Sequence, residues 1–319
     1  MLLTSIPSPE LQYFEVGPFR VHIYALCIIF GVIVAAIVTG KRLAKRGGER
    51  SAAIDLTVWS VIAGVIGARV FHVLTHWDDF FGAGRDPLEV FQIWRGGIAI
   101  FGALIGGAGG VLIASRMTGI RFLSFADALV PGLLLAQAFG RLGNYFNHEL
   151  FGAPTTLPWG LEISLSNPAY PLGLPSGVLF HPTFLYEMIW NFAGVVVLLL
   201  IERKLRPRWG TFFAMYLVWY GFGRFVIEGM RLDPSFIVVF GLRTNQLAAL
   251  LAIVLGIALY CYQKTRHTGI ENNVYLPGKY RPGKSVLPIT SDPSKYHMIL
   301  AHTGVVASVT KPSAKDTES

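Results

Sequence analysis

Five polar side chains fall within nine residues of the stretch "AFGRLGNYFNHELFG" (138–152), at the rim of a long apolar run: Arg141, Asn144, Asn147, His148 and Glu149. A guanidinium offers a planar fork suited to bidentate binding of phosphate. Arg141 and Asn144 share one helical face at i, i+3, and Gly140 and Gly143 permit close approach of a backbone or a lipid headgroup. Asn147, Glu149 and Gly152 follow where a helix gives way to a loop. The opposing reading is a polar helix end that merely faces headgroups and water.

A second set lies in "WYGFGRFVIEGMR". Tyr220, Arg224, Glu228 and Arg231 are spaced i, i+4, i+8, i+11 and so share a helical face. Glu228 can pair with Arg224 or Arg231, leaving one guanidinium that an anionic ligand would neutralise. The alternatives are an internal ion-pair network that locks helices, or snorkelling of Arg231. "HPTFLYE" (181–187) offers His181, Tyr186 and Glu187 as further contacts or as interfacial anchors, with Pro182 suited to a first helical turn. "RVHIYALC" adds His22 and Tyr24, where a tyrosine can also be a belt residue. Gln246 is either a ligand contact or a helix–helix hydrogen bond.

The elements that position these groups follow from composition. The chain has 319 residues, 53% hydrophobic and 14% charged, with mean hydropathy +0.51. Soluble domains carry nearer a quarter charged residues, so the chain reads as an all-α integral membrane protein. Apolar windows of about 20 residues, enough to cross a hydrocarbon core, fall at 19–40, 54–74, 96–115, 124–145, 183–202, 211–229 and 244–263. Each must be a helix, because lipid offers the backbone no other partner. Gly102, Gly106 and Gly110 recur every fourth residue, a face for close helix packing or for lining a cleft. No basic leader precedes the first apolar run, so no cleavable signal is expected.

Lys and Arg set the orientation. "KRLAKRGGER" carries five, "SRMTGIR" two, "RKLRPR" four, and the tail after Tyr262 eight, whereas none occurs between Arg141 and Arg203. Every second connection is basic, which places the N-terminus outside and the C-terminus in the cytoplasm. The expected organisation is a seven-span catalytic domain over 1–263, with a long outer loop at about 147–181, and a disordered cytoplasmic tail over 264–319. Trp159 and Tyr170 suggest interfacial packing for that loop. The eight remaining basic residues are all Arg and map to the outer half: Arg20, Arg69, Arg85, Arg95, Arg141, Arg224, Arg231 and Arg243.

A charge at the bilayer centre costs about 2.5–3.5 kcal/mol on insertion scales. Polar groups of six spans gathered at one depth therefore imply an Arg-walled cavity at the outer leaflet. A hydrophobic cleft beside guanidiniums suits a phospholipid better than a small ion. Cys27 and Cys261 lie in separate apolar runs, so neither a disulfide framework nor a metal site is indicated. No cofactor and no nucleic-acid partner is expected.

"GRLGNYFNHELFG" closely resembles the signature of bacterial prolipoprotein diacylglyceryl transferases. "HPTFLYE", "YGFGRFVIEGMR", the Tyr24 region and Gln246 match in the same order, over about residues 20–263. The resemblance implies transfer of the diacylglyceryl group of phosphatidylglycerol to the lipobox cysteine of a preprolipoprotein signal peptide. A thioether forms and glycerol phosphate leaves, at the outer face of the bacterial plasma membrane. The nucleophilic thiol belongs to the substrate. Catalytic roles then go to Arg141, Arg224, Tyr24, Asn144, Glu149 and Glu228. Arg141, Gly143, Asn147, Gly152, His181, Tyr186, Glu187, Tyr220, Arg231 and Gln246 are implied substrate contacts. Many members carry His-Gly-Gly in the third span, where this chain has Phe101-Gly102-Ala103. Either arginine electrostatics suffice without that His, or His22, His181, Glu149 or Tyr24 takes the proton; His148, where a small residue is usual, is a further candidate. A transporter of lipid or ions with an outer-leaflet anion site is the competing reading.

Overall fold

The computed structural model describes residues 5–82, 84–233, 238–267, 271 and 273–279. In chain order, β1 (Tyr13–Val16) and β2 (Phe19–His22) form an antiparallel hairpin ahead of α1 (Ile23–Lys45). Then come α2 (Arg50–Thr75), the short α3 (Trp77–Phe81), two 3-10 turns, α4 (Ile100–Thr118) and α5 (Phe122–Phe146). The strands β3 (Pro154–Thr155), β4 (Leu161–Glu162) and β5 (Leu179–Phe180) precede α6 (Thr183–Leu205) and α7 (Thr211–Glu228). A tight hairpin of β6 (Val238–Val239) and β7 (Leu242–Arg243) leads into α8 (Thr244–Arg266).

A long helix stands at each of the seven expected windows. Six of them are long and apolar enough to cross a membrane; α7 is not among these six. The reason is visible in its sequence: 18 residues that include Arg224 and Glu228.

The chain divides into two compact units, Met1–Arg42 with Leu123–Gly269, and Leu43–Phe122 with Ile270–Ser319. In the second unit α2 packs against α4 through glycines. A Cβ on Gly102 would strike Gly67 O, and one on Gly106 would strike Ala63 O, so the expected small-residue face is a backbone-to-backbone contact. Phe101 packs toward Phe71, ring centroids 6.3 Å apart. Arg69 is buried and spends its guanidinium on the carbonyls of Glu89, Val90, Gly96 and Gly97, with Arg69 Nη1 2.9 Å from Gly96 O. Residues read from sequence as the start of a tail pair with 119–121: Arg121 N donates to Val274 O at 2.8 Å, and Val274 and Tyr275 are buried. Most of the remaining expected tail lies outside the described residues.

In the first unit α5 and α7 are tied at three levels. Asp127 of α5 caps α7, accepting from Gly210 N at 2.9 Å and Phe213 N at 2.8 Å. Val130, Leu134, Leu198, Phe212 and Tyr216 make a buried apolar layer above that cap. Gln137 Nε2 then donates to Tyr216 Oη at 2.8 Å, and ion pairs follow at the helix ends. The expected long loop is ordered. β5 sits between β3 and β4 in an antiparallel sheet over a core of Phe151, Leu161, Ile163, Tyr170 and Phe180. Tyr170 is therefore a core residue and not an interfacial anchor, because its ring meets Phe180 edge-on at 5.4 Å. Trp159 stays half exposed and donates to Tyr186 Oη at 3.2 Å.

Glycine contacts between α2 and α4 give a direct test. Gly106→Leu should destabilise the purified protein by about 1–3 kcal/mol through overpacking. Gly109→Ala, whose added Cβ meets nothing within 4 Å, should leave thermal unfolding in detergent unchanged or slightly raised. Equal unfolding temperatures for Gly106→Leu and the parent would contradict the contact.

Candidate active site

The sequence-predicted charges meet at the ends of five helices of the first unit. Tyr24 opens α1, Glu187 sits in the second turn of α6, and Asn245 and Gln246 open α8. Arg141 and Asn144 close α5, while Arg224 and Glu228 close α7. Their chemistry is a chain of shared ions. Arg141 Nε lies 2.6 Å from Glu187 Oε2, and Arg224 Nη1 donates to Glu187 Oε1 at 3.0 Å. One carboxylate thus holds two guanidiniums from different helices.

Arg224 Nη2 lies 2.8 Å from Glu228 Oε2, the second carboxylate along the chain. Glu228 is 1% exposed and also receives Arg231 at 3.5 Å, Arg243 at 3.3 Å and the Asn245 amide at 3.0 Å. Asp233 closes the chain, 2.7 Å from Arg231 Nε and 3.3 Å from Arg243 Nη2. Among the described residues four arginines thus pair directly with three carboxylates, Glu187, Glu228 and Asp233, one guanidinium more than the acids that touch them.

The excess is accessible at the Arg141 end. Arg141 uses Nε on Glu187 and Nη1 on Asn144 Oδ1 at 3.0 Å; its Nη2 has no partner among the described residues. Its side chain is 22% exposed, against 11% for Arg224 and 4% for Arg231. Arg224 is spent between Glu187 and Glu228, and Arg231 between Glu228 and Asp233. The guanidinium left over for a ligand is therefore that of Arg141, whereas the spacing on α7 alone pointed to Arg224 or Arg231.

Glu149 is the fourth acid and touches no arginine. Its Oε1 accepts from Asn144 Nδ2 at 2.7 Å and Asn147 Nδ2 at 3.3 Å. Tyr24 lies within electrostatic reach of both Glu149 and Arg141. The phenol of Tyr24, like that of Tyr220, makes no hydrogen bond among the described residues. Tyr220 stacks on Tyr216 with ring centroids 5.9 Å apart and lies within reach of Arg224.

Several expected contacts are occupied by the protein itself. A Cβ on Gly143 would lie 2.7 Å from Tyr24 Cδ2, so the glycine admits the tyrosine ring rather than a headgroup. Gly152 bridges to Arg231, and its missing side chain makes room for His181 Cβ and Met230 O. Gln246 accepts from Arg243 N at 3.1 Å and donates to Phe225 O at 3.3 Å, the helix–helix bond of the alternative reading. His181 Nδ1 and Tyr186 Oη are 3.1 Å apart. His148 has both ring nitrogens engaged, Nε2 with Pro9 O at 2.6 Å and Nδ1 with the Gln12 amide at 3.1 Å. Both nitrogens are thus taken up by the protein's own groups. His22 is exposed on β2, against the Tyr13 ring. Asp233 and Asn245 were missed and Arg243 was noted only as an outer arginine; they lie in a turn and a helix start, where no periodicity marks them.

A family model described as prolipoprotein diacylglyceryl transferase matches residues 12–262. The chain belongs to that family. A phosphatidylglycerol–prolipoprotein diacylglyceryl transferase of Leifsonia xyli subsp. xyli is 52% identical over 287 residues, covering 87% of this chain and 86% of that protein. One of Cutibacterium acnes is 49% identical over 231 residues, covering 72% and 77%. Phosphatidylglycerol–prolipoprotein diacylglyceryl transferase 2 of Streptomyces coelicolor is 39% identical over 294 residues, 92% of each chain. The matched span contains the whole ion chain, from Arg141 to Arg243, together with Tyr24 and Gln246.

Glu228 is the most connected acid, and removing it strands buried cations. Glu228→Ala should cost about 3–5 kcal/mol, the penalty of breaking a buried ion pair from one side. Thermal unfolding of the purified variant checks this; a stability equal to that of the parent would show that Glu228 does not hold the arginines.

Proposed function

We propose that the chain transfers the diacylglyceryl group of phosphatidylglycerol to the lipobox cysteine thiol of a preprolipoprotein, forming a thioether and releasing glycerol phosphate. The single observation that carries the site assignment is Arg141: one guanidinium edge, partly exposed, at the end of an ion chain with one positive charge in excess. The phosphodiester of the lipid supplies the missing negative charge there. As the carbon–oxygen bond breaks, charge grows on the departing phosphate, and fixed N–H donors stabilise it without reorganising. Glu187 and Asn144 fix the Arg141 plane from two sides, so the donor edge is aimed before the lipid arrives. Arg224 acts at one remove, through Glu187. Tyr24, Tyr220 and Asn147 line the reacting groups as neutral donors.

The proposed setting is the bacterial plasma membrane, with seven spans, the N-terminus outside and the C-terminus in the cytoplasm. The basic loops support this, as does the gathering of α1, α6 and α8 starts with α5 and α7 ends. Antiparallel alternation would bring those ends to one membrane face, and the basic loops favour the outer one. The transporter reading fits less well. Below the arginines, Gln137 and Tyr216 bond each other, and Val130, Leu134, Leu198 and Phe212 close the layer beneath with apolar side chains.

Purified protein, phosphatidylglycerol and a lipobox peptide should yield lipidated peptide and glycerol phosphate in equal amounts. Arg141→Ala should lower kcat by about 10²–10³, the usual loss for one charge-stabilising donor. Phe101→Ala should retain turnover and only loosen packing. Folded protein giving no lipidated peptide would contradict the transferase reading; near-normal turnover by Arg141→Ala would contradict the phosphate contact.

A further inference from the structure

We propose that Glu149 is the proton acceptor for the incoming thiol, an inference that rests on the transferase reading above. The thiol must lose its proton, its unperturbed pKa being about 8.5, and Phe101, at the position where the family resemblance led to the expectation of a histidine, cannot accept it. Among the groups that sequence left open, His148 has both nitrogens bonded, His181 shares Nδ1 with Tyr186, His22 is exposed on β2, and Tyr24 is a phenol, whose ordinary pKa of about 10 keeps its proton at neutral pH. Glu149 differs: both amides, from Asn144 and Asn147, land on Oε1, and Oε2 has no partner among the described residues. The carboxylate is thus anchored by one oxygen and open at the other.

The backbone supplies an independent observation. His148 and Leu150, the residues on either side of Glu149, are both in the left-handed region, at φ 54° and 62°. Such conformations cost about 1–3 kcal/mol each and persist only where the surroundings enforce them. Here they do. Asn167 donates to His148 O at 2.8 Å, the His148 ring is fixed to 9–12, and Thr183 donates to Leu150 O. Two unfavourable residues are spent on turning one carboxylate back toward Asn144 and Arg141.

Tyr24 of α1 lies within electrostatic reach of both Glu149 and Arg141, Asn144 of α5 hydrogen-bonds to each of those two, and His148 is turned away. Arg141 lies on the same side and favours the thiolate as it forms. In the step, the S–H bond breaks toward Glu149 Oε2 while sulfur bonds to the glycerol carbon that bears the phosphate ester. That C–O bond breaks, and its electron pair leaves on the phosphate oxygen. The proton on Glu149 then passes to the departing phosphate monoester, which restores the carboxylate.

The test uses the full chain in phosphatidylglycerol vesicles with two lipobox peptides, one bearing cysteine and one selenocysteine, whose selenol is already ionised at neutral pH. With the cysteine peptide, Glu149→Gln should lose about 10²–10⁴ in kcat with KM for the lipid little changed. Its remaining rate should rise about tenfold per pH unit below the thiol pKa of about 8.5, more steeply than the parent's. With the selenocysteine peptide the deficit should largely vanish. Glu149→Asp, which keeps an acid, should recover part of the rate with the cysteine peptide, and formate should rescue Glu149→Ala if Glu149→Gln fails to fold. The same deficit with both nucleophiles, or a loss confined to KM, would overturn the assignment. No transfer by the parent chain with either peptide would instead overturn the transferase reading, and this inference with it.

Discussion

Two guanidiniums share the carboxylate of Glu187, and the arrangement of the first unit depends on that sharing. Like charges on α5 and α7 would repel in a medium that screens poorly, where effective dielectric constants run at about 20 or below. A single acid on α6, 2.6 Å from one arginine and 3.0 Å from the other, converts that repulsion into a three-helix tie. The arrangement costs desolvation, which is why each buried charge in the chain of ions lies against an opposite one. The terminal member, Arg141, is the most exposed of Arg141, Arg224 and Arg231 and keeps Nη2 without a partner among the described residues. A site for an anion thus arises from the arithmetic of pairing: three acids among four arginines, with the deficit exposed at Arg141.

The rest of the unit keeps that chain in register. Asp127 sets the start of α7 against α5, the apolar layer of Val130, Leu134 and Phe212 fixes their spacing, and Gln137–Tyr216 marks the last level before the ions. At the rim, the small sheet around β5 is joined to the loop after α7 through Ala153 N to Met230 O at 2.8 Å. That junction holds 147–152 still, and with it the reversed backbone around Glu149. Function would follow from two neighbouring devices: a cation edge for the phosphate that leaves, and an open carboxylate oxygen for the proton that must go.

Much of this was legible in the sequence, because hydropathy and charge are strong signals in a membrane chain. The seven helices stand where apolar windows lie, and Arg141, Asn144, Arg224 and Glu228 meet as their helix-end positions implied. What the sequence could not show was partnership. Helical spacing pairs Arg224 with Glu228 but says nothing of Glu187, 37 residues earlier, reaching the same guanidinium. Arg231 looked available for a ligand and is instead enclosed by Glu228 and Asp233. Gly143 looked like space for a headgroup, and Tyr24 fills it. The loop at 147–181 looked irregular because two-residue strands leave almost no periodicity to read. In each case a contact distant in sequence decided the outcome.

The most direct measurement is a structure of the full chain in lipid with phosphatidylglycerol bound and no peptide present. The account predicts the phosphodiester within hydrogen-bonding distance of Arg141 Nη2, with Glu187 still joining Arg141 to Arg224 and the Glu149 carboxylate unobstructed on the glycerol side. A phosphate seated on Arg231 or Arg243, or one that displaces Glu187 from the two arginines, would contradict it.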